Sequence, residues 1–136
     1  MAFEMLMLGL TTLLLAVAWV PASVAKYHAY GLNWLASNRS TSGLPDMPEW
    51  GQRCVRAHEN LKENYPAFAV AVLLLAFTGG FTPGTAVASA VFLGARLVHM
   101  SAYIGGIPWL RILAWTVGFL VTLYLLFMAL AALISF

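Results

Sequence analysis

Charged and amide side chains recur at helical spacing on two segments that are otherwise apolar enough to cross a membrane. The first set, at i, i+4 and i+7, is Arg56, Asn60 and Glu63; the second, at i, i+3 and i+7, is Arg96, His99 and Tyr103. Each set lies on one face of a helix, because successive residues advance by about 100°. A charge at the bilayer centre costs at least ~2.5–3.5 kcal/mol. We therefore expect the two faces to turn toward each other or toward a polar ligand between the helices.

The composition indicates a membrane protein. The 136 residues are 62% hydrophobic and 9% charged, whereas soluble domains have about 25% charged residues. A chain this short has too much surface to cover with so few charges, which excludes a soluble protein with an apolar core. The net charge of +2, without a basic run, gives no reason to expect a nucleic-acid partner. The single cysteine, Cys54, excludes an intrachain disulfide. No two histidines stand at i, i+4, so we predict no metal site.

Four apolar segments are each long enough for the roughly 20 residues that a membrane span requires. They run over about 3–27, 49–77, 85–103 and 109–134, with a polar loop at about 29–48. The later turns are short, which makes sequential helices antiparallel neighbours. The sequence therefore predicts an all-α membrane protein with one domain, residues 1–136, folded as an antiparallel bundle of four transmembrane helices. A signal peptide is disfavoured, because the residues before the first apolar run include the acidic Glu4 and no lysine or arginine.

The basic residues indicate the orientation. They flank the loop at 29–48 and the connection between the third and fourth segments: Lys26, Arg39, Arg53, Arg56 and Arg111. The termini and the turn at 79–80 carry no lysine or arginine. The positive-inside rule then predicts an integral, multi-pass protein with both termini outside. The two polar helix faces meet in the cytoplasmic half of the membrane.

The polar faces suit a small zwitterion. Arg56 offers a planar fork for a carboxylate, Asn60 a donor and an acceptor, and Glu63 an acceptor for an ammonium group. A tripeptide such as glutathione has this pattern of charges and amides. Arg111 would then face the thiol, and a guanidinium near sulfur raises the fraction of thiolate, which is the nucleophile. The competing interpretation is structural: Glu63 and Arg96 neutralise each other between helices, as buried intramembrane charges usually do.

At these residues the chain resembles the MAPEG family, the membrane-associated proteins in eicosanoid and glutathione metabolism. The segment 53–66, RCVRAHENLKENYP, resembles the family's second-helix signature of an arginine followed by an asparagine, a glutamate and a proline. The segment 95–103, ARLVHMSAY, is similar to its third-helix motif, in the form found in microsomal prostaglandin E synthases. Departures at Glu59, Asn64 and Ile112 argue against a specifically eicosanoid substrate. The short tail resembles bacterial members, which implies a bacterial inner membrane.

The resemblance implies a homotrimer with active sites between neighbouring subunits and glutathione as co-substrate. The side chains that it implies for glutathione binding are Arg56, Asn60, Glu63, Arg96, His99 and Tyr103. Lys26 corresponds, by approximate spacing, to a first-helix arginine that meets the glutathione carboxylate. Arg111 matches the arginine that stabilises the thiolate and is the predicted catalytic residue. His58, within one turn of Arg56, completes the candidates for glutathione binding.

These features predict a membrane-bound glutathione transferase of the microsomal type, with glutathione-dependent peroxidase activity as an extension. Glutathione would enter from the cytoplasm, and an apolar electrophile or a lipid hydroperoxide would arrive from the bilayer. The alternative is a non-catalytic lipid-binding or scaffold member of the same family. The retained polar face argues against it, because unused buried charges are costly. A small transporter is disfavoured, because the chain shows no internal repeat and no helix broken at mid-membrane.

Overall fold

The computed structural model describes residues 3–136 as four α-helices; Met1 and Ala2, which the predicted domain includes, lie outside the described residues. Helix α1 spans Phe3–Leu35, α2 Glu49–Thr78, α3 Pro83–Gly105 and α4 Pro108–Ser135. All four are long and apolar enough to cross a membrane. The predicted all-α membrane fold with four spanning helices is therefore confirmed.

Glycine and proline set the short connections. Helices α2 and α3 are followed by the capping residues Gly79 (φ 68°) and Gly106 (φ 72°), in the left-handed conformation that favours glycine after a helix. Proline stands in the first turn of both following helices, where its missing N–H costs no hydrogen bond. Because each connection is only a few residues long, the C-terminal end of α3 and the N-terminal end of α4 are held together.

Helix α1 is longer than the sequence predicts: it continues past Tyr27 to Leu35, and the predicted loop at 29–48 shortens to 36–48. The predicted boundary follows the end of the continuous apolar run, whereas a helix can continue beyond that point if its side chains pack on one another. Tyr30 and Trp34 pack one turn apart with ring centroids at 4.6 Å, and the Trp34 indole N–H donates to the Ser40 carbonyl at 2.8 Å. Gly31, with φ 80°, introduces a kink before the last turn.

The bundle has an apolar half and a polar half. Near the α2–α3 turn, Phe68 and Phe92 stack with centroids at 3.9 Å inside a cluster that includes Val72 and Leu125. Toward the α3–α4 turn, the same helices carry the polar residues. Helix α1 packs on α2 and α3, whereas α4 packs on the other side of the same two helices. The polar half of the α2–α3 seam therefore lies against the first turns of α4.

Candidate functional site

Polar residues from three helices surround two cavities in the polar half of the bundle. The first, here called the outer cavity, lies where α3 ends and α4 begins and measures about 220 Å³. The second, the inner cavity, lies farther along these helices and measures about 240 Å³. Tyr103 and Arg111 line both cavities. The two cavities therefore share a wall made by the end of α3 and the start of α4.

The outer cavity is rich in guanidinium groups. Arg53, Arg56 and Arg111 line it, with Glu49 as the one carboxylate. Glu49 is already engaged, because it accepts a hydrogen bond from Arg53 Nη1 at 2.9 Å. Arg56 is exposed, and its nearest polar partner is the neutral Gln52 amide oxygen at 3.4 Å. The cavity thus carries net positive charge and suits an anionic group such as a carboxylate.

The inner cavity combines polar and apolar walls. Its lining residues are Asn60, His99, Tyr103, Arg111, Ile112 and Trp115. The His99 and Tyr103 rings meet edge to face at 5.5 Å, and Arg111 Cζ lies 4.7 Å from the centre of the Tyr103 ring. This cation–π contact holds the Arg111 guanidinium at the junction of the two cavities. Ile112 and Trp115 are exposed on the outer surface of α4, so the inner cavity borders the face that would meet lipid.

Arg96 lies behind the inner cavity rather than in its wall. It is 1% exposed, and it donates to the Asn60 side-chain oxygen and to the Trp115 carbonyl, both at 3.3 Å. Its guanidinium also lies over the Phe92 ring, with Cζ at 5.2 Å from the centroid. Within residues 3–136, its Nε has no hydrogen-bond partner. Arg96 is thus a buried cation whose donors are not all used.

The structural interpretation of Glu63 is wrong for a single chain. In the part of the chain that the structure describes, the one ion pair is Arg53–Glu49, and Glu63 does not pair with Arg96. Glu63 is exposed and shares an open surface depression with Glu59 and Lys62. Asn60 and Glu63 are about 60° apart around the α2 axis. That angle is enough to turn Asn60 into the bundle and Glu63 away from it.

Two other candidates line neither cavity within one chain. Lys26 is half-buried on α1, and His58 is half-buried on α2. Helix α1 packs against the start of α2 in this region: a Cβ added at Gly51 would lie 3.0 Å from the Ala25 Cβ. The structure therefore brings Asn60, His99, Tyr103 and Arg111 together, with Arg56 beside them, and leaves Lys26, His58 and Glu63 apart.

From the sequence, Arg53 is assigned a role only in the membrane orientation and none in the site. Its Nε donates to the Ile104 carbonyl at 3.1 Å, near the C-terminal end of α3, where cations are favoured. Its guanidinium also packs on Gly106, where a Cβ would lie 3.5 Å from Cζ. Together with the Glu49 contact, these interactions tie the first turns of α2 to the α3–α4 turn. The i, i+4 spacing of Glu49 and Arg53 is the sequence feature that could have predicted their ion pair.

Comparison with known proteins agrees with this architecture. No curated protein matches the chain closely enough to count as a relative. The family model of the MAPEG family matches residues 1–131, which is nearly the whole chain. The chain therefore belongs to the MAPEG family, whose members are membrane proteins of glutathione and eicosanoid metabolism.

Proposed function

We propose that this protein is a membrane-bound glutathione transferase in which Arg111 stabilises the glutathione thiolate. The observation that carries the proposal is the position of Arg111 in the shared wall of the two cavities. No carboxylate of residues 3–136 forms an ion pair with it, so its charge is available to an anionic ligand. A guanidinium beside a thiol favours the thiolate, which is the attacking nucleophile.

The two cavities suit different parts of the reaction. The outer cavity, with Arg56 at its rim, is the proposed place for a glutathione carboxylate. Asn60, His99 and Tyr103 offer hydrogen bonds in the inner cavity, where the thiol end would lie next to Arg111. The apolar wall made by Ile112 and Trp115 would admit an apolar electrophile from the bilayer. In a peroxidase reaction the same thiolate would attack the terminal oxygen of a lipid hydroperoxide, which breaks the O–O bond and releases the lipid alcohol. A second glutathione would then convert the sulfenic acid into glutathione disulfide and water.

A homotrimer explains the residues that one chain leaves exposed. Arg56 and Glu63 lie on the exposed side of α2, on a protein whose remaining surface is largely apolar. Charges that face lipid are costly, so we expect a second copy of the chain to pack over Arg56 and Glu63. We propose that Glu63, Lys26 and His58 approach glutathione at the boundary between neighbouring subunits. The proposed orientation places this boundary, and the site, toward the cytoplasm of a bacterial inner membrane.

The test of catalysis compares two arginines. In stopped-flow measurements of thiolate absorbance, Arg111→Ala should abolish the signal that glutathione produces with the wild type. Turnover with an apolar electrophile should fall roughly 10²–10³-fold, as for the loss of one preorganised donor at a developing anion. Arg39→Ala removes an exposed loop arginine outside both cavities and should leave both readouts unchanged. An unchanged thiolate signal in Arg111→Ala would exclude Arg111 from the mechanism.

Binding itself decides between the enzyme and the non-catalytic alternative. Calorimetry in detergent should show binding of glutathione to the wild type at millimolar concentration. The Arg56→Ala variant should bind more weakly, because the carboxylate loses its fork-shaped partner. Absence of any binding heat in the wild type would favour the lipid-binding or scaffold function instead.

A further inference from the structure

The side-chain oxygen of Asn60 is fully occupied inside the protein. It accepts one hydrogen bond from Arg96 Nη1 and another from Asn64 Nδ2, both at 3.3 Å. A carbonyl oxygen has two lone pairs, so these two donors use its capacity. Arginine is only a donor, and Asn64 Nδ2 also donates to the Asn60 backbone carbonyl at 2.8 Å. These partners therefore fix which end of the Asn60 amide is the oxygen, and the NH₂ end remains for the inner cavity.

The Arg96 guanidinium is held firmly enough to impose this orientation. Its second Nη donates to the Trp115 carbonyl, and it fills the space that Gly118 leaves open on α4. A Cβ at Gly118 would overlap the guanidinium, with Cζ at 2.8 Å and Nε at 2.9 Å. Arg96 therefore cannot swing away from Asn60 through α4, and it does not line the inner cavity.

We propose that Arg96 is a positioning residue that acts through Asn60, and that Asn60 presents only its NH₂ group to the ligand. The proposal rests on the glutathione-binding function proposed above. The inner cavity then selects a ligand that places an acceptor oxygen, a peptide carbonyl or a carboxylate, opposite Asn60. The buried positive charge of Arg96 on the amide oxygen polarises the amide and strengthens its N–H donors. Arg96 thereby favours glutathione binding without touching glutathione.

The first experiment replaces Asn60 by aspartate, which keeps the shape and an oxygen for Arg96 and Asn64. The Asn60→Asp protein should unfold at the same temperature as the wild type or higher, because Arg96 gains a carboxylate partner. Its glutathione affinity should fall at least tenfold, because an oxygen now faces the ligand's acceptor. Asn38→Asp, an exposed change in the loop, is the control for both readouts. A lower unfolding temperature with unchanged affinity would overturn the proposed orientation.

The second experiment tests whether Arg96 acts through Asn60. Arg96→Met should weaken glutathione binding about tenfold while the thiolate signal per bound glutathione stays unchanged, because Arg111 is intact. Arg96→Lys keeps a donor and should restore most of the affinity. In the Asn60→Ala background, Arg96→Met should cause no further loss. An equal loss with and without the Asn60 side chain would show direct contact and refute the positioning role.

The two experiments separate this inference from the proposed function. If the wild type binds no glutathione, the proposed function fails. The unfolding temperature of Asn60→Asp still reports the orientation of Asn60, because that measurement needs no ligand. If the wild type binds glutathione and Asn60→Asp binds it equally well, only the positioning inference fails.

Discussion

The apolar half and the polar half of the bundle each bury one charged side chain, and the surroundings of the two charges differ. Glu4, 3% exposed, accepts a hydrogen bond from the Thr85 hydroxyl at 2.6 Å at the start of α3. Thr85 forms a capping box with Thr82, so the carboxylate lies at a helix N-terminus, where negative charge is favoured. Arg96, 1% exposed in the polar half, keeps an unused donor within the described chain, and its hydrogen bonds go only to neutral oxygens.

This difference indicates that Glu4 has a structural role, whereas Arg96 has a role in ligand binding. The surroundings of Glu4 complement its charge, and its contact joins α1 to α3. The surroundings of Arg96 do not neutralise it, and it lies directly behind the inner cavity. A protein retains an uncompensated buried cation at a cost, because desolvation is not repaid by a paired anion. Such a residue is a candidate for function, whereas Glu4 is a candidate for stability.

Removal of the Glu4 carboxylate should give the largest loss of stability. Glu4→Ala is expected to lower the free energy of unfolding by about 1.5–3 kcal/mol, the contribution of a hydrogen bond to a charged group. Glutathione affinity should stay at the wild-type value, because Glu4 lies at the opposite end. Denaturant unfolding and calorimetry in detergent measure both. Glu59→Ala, which removes an exposed carboxylate, is the control. A marked loss of affinity in Glu4→Ala would contradict the distinction between Glu4 and Arg96.

Two glycines test whether the space around Arg96 matters. Gly118→Ala adds a methyl group against the guanidinium and should cost about 1–3 kcal/mol of stability, as overpacking usually does. It should also weaken glutathione binding, because Asn60 loses its fixed orientation. Gly94 has nothing within 4 Å of an added Cβ. Gly94→Ala should therefore stabilise α3 by up to about 1 kcal/mol without changing affinity. Equal effects of the two changes on affinity would remove Gly118 from the explanation.

Loss of a neutral hydrogen bond should give the smallest loss of stability. It provides a reference for the effects of Glu4→Ala and Gly118→Ala. The Thr12 and Tyr65 hydroxyls share a hydrogen bond of 2.6 Å between α1 and α2. Tyr65→Phe should lower the free energy of unfolding by about 0.5–1.5 kcal/mol and leave affinity unchanged. The measurement is denaturant unfolding under the same conditions as for Glu4→Ala. If Tyr65→Phe lowers the free energy of unfolding more than Glu4→Ala does, the buried carboxylate contributes no more to stability than a neutral group. The contrast between Glu4 and Arg96 would then have no basis.

The residue pattern was sufficient for the fold and for part of the candidate site. Long apolar runs bounded by glycine and proline determine four spanning helices, because a bilayer admits few other structures. The spacing of His99 and Tyr103 correctly placed them on one face of α3. The short third connection correctly brought Arg111 beside them. These features are local in sequence, and periodicity is enough to infer them.

The remaining features depend on how each helix is rotated against its neighbours. Spacing alone put Glu63 on the same stripe as Asn60, but the packing of α2 separates them. Spacing also could not show that Arg96 lies behind Asn60, because that depends on the absence of a side chain at Gly118. The partners Glu4 and Thr85 are 81 residues apart in the chain, and no local pattern relates them.

The unequal lengths of the helices have a consequence for the membrane around the protein. Helix α3 has 23 residues and α1 has 33, or about 35 Å and 50 Å at 1.5 Å per residue. A hydrocarbon core of about 30 Å covers α3 almost completely but leaves much of α1 outside. The C-terminal turns of α1 lie toward the end of the bundle where α2 begins, and the outer cavity opens at the same end. Hydrophobic mismatch would then adjust how deeply this opening sits among the lipid headgroups, so acyl-chain length becomes a variable that controls its hydration.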